Sequence, residues 1–156
     1  MSSERRVHPI IVAQHKLQNH ATRTEHWNLV VLKSINEALV LGVVGNSDTF
    51  AYVPSEIKNF GKLRDLRGGC LVGHIEEDKL DWLKERLGKI PVLRYEACFD
   101  CQTWVFDALR LLKDDGVVTE DTSERRIRAE LKLEEERWEG SEDTVEERLF
   151  PHNGDV

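Results

Sequence analysis

At 156 residues, 40% of them hydrophobic and 33% charged, the chain suits one globular domain with a charged surface and not a disordered segment. Its formal charge of −7 sits at one end: from Glu120 onward 13 acidic residues face 6 basic ones, and the first 119 residues hold 16 of each. A neutral body without a basic stripe argues against a nucleic-acid partner, and no stretch approaches the roughly 20 apolar residues of a membrane span.

The first apolar run, residues 7–12, reads as a strand, and Gln14, His15 and Lys16 break it too soon for a secretion signal. The chain is therefore expected in the cytoplasm. His8, His15 and His20 fall among Gln14, Gln18 and Asn19, a polar stretch expected to form a solvated loop. Residues 27–32 read as a second strand and 38–44 as a third, followed by the turn Gly45-Asn46-Ser47-Asp48. A short fourth strand at 49–53 closes at Pro54, and a fifth at 70–75 is entered through a Gly68-Gly69 turn. Consecutive strands with short connections favour an antiparallel meander.

Helical spacing then takes over. Asp78 is placed to cap a helix through Leu87, with Leu80, Leu83 and Leu87 on one face and Gly88 as its stop. Pro91 opens an extended link over 92–99. In residues 101–113, Trp104, Val105, Ala108, Leu109 and Leu112 recur at helical spacing behind Asp100 as N-cap, with Gly116 as terminator. A charged helix over 122–138 carries a thin stripe, Ile127, Leu131 and Trp138, and an internal pair Arg126–Glu130 is expected on it. That stripe must cover something: the domain itself or a second copy of the chain. The reading is an α+β fold, an antiparallel sheet packed against helices. Residues 1–118 form the domain and 119–156 an acidic helical tail, partly disordered.

Cys101 stands at the expected first turn of the most strongly patterned helix. There the helix dipole favours an anion and lowers a thiol pKa, so a nucleophilic thiolate is favoured. His26, at the head of an apolar strand, is the matching general base. Cys98 and Cys101 also make a Cys-x-x-Cys pair, but the βαβ context of a redox motif is missing. Structural zinc needs about four ligands, which Cys70, His74 and scattered histidines do not assemble by spacing. Neither a metal nor any other cofactor is expected.

The segments Glu25-His26-Trp27-Asn28-Leu29-Val30 and Phe99-Asp100-Cys101-Gln102-Thr103-Trp104-Val105-Phe106 resemble those of a family of small fungal proteins. That family is similar in turn to the permuted papain-like proteins, the branch of lecithin:retinol acyltransferase and the NlpC-type peptidases. The resemblance covers roughly residues 7–118. It implies a permuted papain-like fold with Cys101 as nucleophile, His26 as general base, and Gln102 and Trp27 at the oxyanion or cleft. Two departures stand out. The third, imidazole-orienting position is Ala51, which leaves Asp48 or Tyr52 as substitutes, and Asp100 replaces an asparagine beside the cysteine. The expectation is thiol-dependent acyl transfer, hydrolysis or cyclisation on a small-molecule or peptide carbonyl. The alternatives are a degenerate, non-catalytic member that binds a small molecule or protein, and a biosynthetic enzyme that uses the cleft without a covalent intermediate.

Overall fold

The computed structural model describes residues 6–16, 25–34, 37–44, 51–58, 66–92, 101–119 and 122–139. Seven strands appear in chain order: β1 (Val7–Lys16), β2 (Glu25–Leu32), β3 (Glu37–Leu41), β4 (Val43–Val44), β5 (Ala51–Tyr52), β6 (Ser55–Lys58) and β7 (Leu66–Glu76). Helices α1 (Leu80–Leu87), α2 (Cys101–Asp114) and α3 (Glu124–Glu139) follow. The protein is α+β. Its main sheet is antiparallel in the order β6-β3-β2-β1-β7, and β4 pairs with β5 beside it.

Strand alternation sorts the sheet into two faces. Ile10, Val12, Trp27, Leu29, Val31, Leu39 and Leu41 point to one side and form a single cluster with Leu83 and Leu87 of α1, Trp104, Val105 and Ala108 of α2, and Ile127 and Leu131 of α3. Ile11, Ala13, Val30, Leu32 and Ala38 form a second cluster on the opposite side. Each large aliphatic side chain removed from water this way contributes about 1.5–3 kcal/mol before chain entropy is counted.

Several sequence expectations need correcting. β1 runs on through Gln14, His15 and Lys16, because β2 and β7 pair with it on both sides and supply partners for the polar residues. His8 and His15 are therefore buried strand residues, not members of a solvated loop. The expected third strand breaks at Gly42, where a Cβ would come within 2.9 Å of the Cβ of Asn28. The short strand before Pro54 ends at Tyr52 as expected, and β6, which the sequence did not suggest, follows it and pairs with β3. Gly68 and Gly69 lie inside β7, where Gly68 at φ 111° accompanies a register shift against β1. Asp78 sits within a 3-10 turn at Glu77–Lys79 that leads into α1 and does not cap the helix. The N-cap of α3 is Ser123, whose Oγ accepts from the Arg126 backbone N–H at 3.1 Å. The expected turn at 45–48, the link at 93–99, the N-cap Asp100 and the tail from Gly140 lie outside the described residues.

The link from α2 to α3 is stitched to β7. The Thr119 backbone N–H donates to Val72 O at 3.0 Å, and Thr119 Oγ1 and Thr122 Oγ1 share a hydrogen bond of 2.9 Å. Gly73 makes this possible, because a Cβ there would stand 2.2 Å from Val117 O. With Ile127 and Leu131 in the main cluster, α3 packs on the same core as the residues before 119. Among the described residues no helix is long and apolar enough to cross a membrane.

Candidate functional site

The first residues of β2 divide between the two faces. Trp27 turns toward the helices, buried in the main cluster, and its Nε1–H donates to Gln14 Oε1 of β1 at 3.0 Å. His26, one residue earlier, takes the other face. Its strand partner is His15, and the two imidazoles stand with ring centroids 6.0 Å apart. Asn28 shares that face, 7% exposed, and among the described residues its Oδ1 has no hydrogen-bond partner.

On the helix side a groove opens between the start of α2 and the first turns of α3. Gln102, Phe106, Asp107, Arg110, Glu124 and Arg128 line a depression of about 300 Å³. It continues into a second one of about 170 Å³, which shares Phe106, Arg110 and Glu124 and adds Leu109, Lys113 and Ile127. Trp27, buried in the core, supports Phe106 from behind: the two rings meet edge to face at 5.4 Å, tilted by 72°. Arg128 lies over both, with its guanidinium carbon 5.0 Å from the Trp27 centroid and 5.5 Å from that of Phe106. Such stacking favours the cation and holds a long side chain in place. Arg128 Nε donates to Glu124 Oε2 at 2.9 Å and its Nη1 to Gln102 Oε1 at 3.3 Å. Asp107 pairs with Arg110 one turn along α2, and Lys113 Nζ donates to Thr122 O at 2.7 Å.

Of the residues expected from the sequence, Gln102 lines the groove, and Trp27 lies buried behind it; Arg128 contacts both. The backbone of Cys101 opens α2, and its side chain lies outside the described ones. α2 packs on the Trp27 face of β2, while His26 points to the other. Asp48 lies outside the described residues. Tyr52 is on the helix side: its ring stacks on Trp104 at 5.5 Å and its hydroxyl donates to Lys84 O at 2.9 Å. Burial pushes its phenol up to about 12. Tyr52 and His26 are thus separated by the sheet. Cys70 is buried in the main cluster, whereas His74 is exposed on the same strand.

Phe106 and Arg128 were missed in the sequence. Phe106 lies four residues after Gln102 on α2, and Arg128 directly follows the stripe residue Ile127. The first spacing is a legible sign of a shared helix face; the second required knowing where α3 docks. No family model, no curated protein and no solved structure matches the chain.

Proposed function

We propose that this chain is a binding domain that holds a small molecule in the α2–α3 groove, a degenerate relative of the permuted papain-like proteins with no thiol catalysis. The order of the two segments, a His-Trp strand before a Cys-Gln helix, supports the kinship. The carrying observation is the clamp at the head of the groove: Arg128 over Trp27 and Phe106 with its Nη1 on Gln102. Pockets for small ligands combine an apolar wall with a few fixed polar groups, and this groove has both. The thiol reading needs an imidazole beside the start of α2, and the alternation of β2 gives that side to Trp27. A location in the cytoplasm fits an odd count of three cysteines.

The test is to map amide chemical-shift changes in the full-length protein against a mixed fragment library. The expected result is a cluster of shifts over Gln102, Phe106, Arg110 and Arg128 with the fragment recovered unchanged. Shifts centred elsewhere, or turnover of an ester or thioester fragment, contradict the proposal.

A further inference from the structure

We infer that the groove takes a small monocarboxylic acid with an apolar body, its carboxylate at Arg128 and Gln102 and its body along Phe106 toward Leu109 and Ile127. This rests on the binding reading above and adds the chemical class and orientation of the ligand.

Polarity at the clamp runs one way. A guanidinium has five N–H donors and no acceptor, and the recorded hydrogen bonds of Arg128 use two of them. Gln102 spends its carbonyl oxygen on Arg128, so its amide NH2 is the part that can meet a ligand there. The two acids of the groove are already occupied, Glu124 by Arg128 and Asp107 by Arg110. Against these two acids stand Arg110, Lys113 and Arg128, so the lining carries a net charge of one positive unit. A positive balance, with each acid already paired to an arginine, suits an anion. The planar fork of arginine suits a carboxylate in particular, because two parallel N–H bonds can meet its two oxygens.

The other half of the groove fixes the body. The second depression shares Phe106 with the clamp and has Leu109 and Ile127, both almost fully buried, on its apolar side, with Lys113, Thr122 and Ser123 on its polar side. At about 170 Å³ it has room for a short chain. A ligand that fills both parts is charged at one end and apolar at the other. The aromatic backing matters for affinity, because a guanidinium already held over Trp27 and Phe106 loses little freedom when it binds.

The experiment titrates the full-length protein with octanoate and, in parallel, with octanol, and reads both Kd and amide shifts. It is repeated on Arg128→Gln and Arg128→Lys, with circular dichroism melting as the check on folding. The expected result is octanoate binding with shifts at Gln102, Phe106 and Arg128. Octanol and the R128Q variant should bind about tenfold or more weakly, and R128K should recover part of the loss. Equal binding of octanoate and octanol in the groove overturns the carboxylate assignment and leaves the binding reading standing. Octanoate shifts centred away from the groove overturn both. Absence of octanoate binding at millimolar concentration overturns the inference, while the fragment map decides the binding reading independently.

Discussion

Trp27 donates its indole N–H to Gln14 across the β1–β2 ladder at 3.0 Å, and both residues are buried. The bond lies on the helix-facing side of β2, where Trp27, Leu29 and Val31 are buried, and strand alternation sends His26 to the other side. Gln14→Leu removes the acceptor from a buried donor and is expected to cost about 1–3 kcal/mol in chemical denaturation. The double variant Gln14→Leu/Trp27→Phe should lose less than the sum of the single losses, because neither partner then remains to be satisfied.

Gly73 is the point where the α2–α3 link meets β7. Gly73→Ala sets a Cβ against Val117 O, a backbone atom with no rotamer to move away, and overpacking of this kind costs about 1–3 kcal/mol. The link then shifts off the sheet edge. Hydrogen exchange should show the amides of His74 and Thr119 losing protection before those of β2.

The Tyr52 phenol, pushed up to about 12 by burial, binds its proton more tightly in the folded than in the unfolded chain. Its contribution is complete below pH 10 and is lost as pH rises from 10 toward 12. Stability measured across that window should fall in the native protein and fall less in Tyr52→Phe. At neutral pH the same variant should lose about 0.5–1.5 kcal/mol with the bond to Lys84 O.

At the other end of the pH scale, His8 Nε2 donates to Glu77 Oε1 at 2.6 Å, and this bond holds the Glu77 carboxyl below its ordinary 4.5. A lowered carboxyl contributes stability above its unfolded pKa and loses it as pH falls through the folded one. Native protein and Glu77→Gln should therefore differ most above the ordinary carboxyl value of 4.5 and converge as pH falls below it. The Glu77 side chain is 43% exposed, so added salt should shrink the difference.

Much of the architecture was legible because apolar spacing is strong where burial is one-sided. β2, with Trp27, Leu29 and Val31, and α2, with Trp104, Val105, Ala108 and Leu112, read directly from their periods. The second half of β1 did not, because Gln14 and His15 look like loop residues until β2 and β7 are seen flanking them. β6 escaped because an edge strand with one half-buried apolar residue, Ile57, has almost no pattern. The glycines at 68 and 69 resemble a turn and form a bulge instead.

For the site, the sequence pointed to Gln102 and Trp27 and set His26 beside Cys101, although strand alternation argues otherwise for His26. If Trp27, Leu29 and Val31 pack on the apolar stripe of α2, period-2 alternation sends His26 to the other side. Arg128 was not readable, because its place over Trp27 depends on how α3 docks, a tertiary fact with no local signature.

The most direct test of the central claim, that the start of α2 heads a binding groove and not a thiol–imidazole site, is the pH dependence of cysteine alkylation. It is read by peptide mass spectrometry in the native protein and in His26→Ala. The account predicts that the rate and pH midpoint at Cys101 are the same in the two proteins. Reaction of Cys101 well below pH 8, ahead of Cys70 and Cys98, with that advantage lost in His26→Ala, would contradict it and restore the acyl-transfer reading.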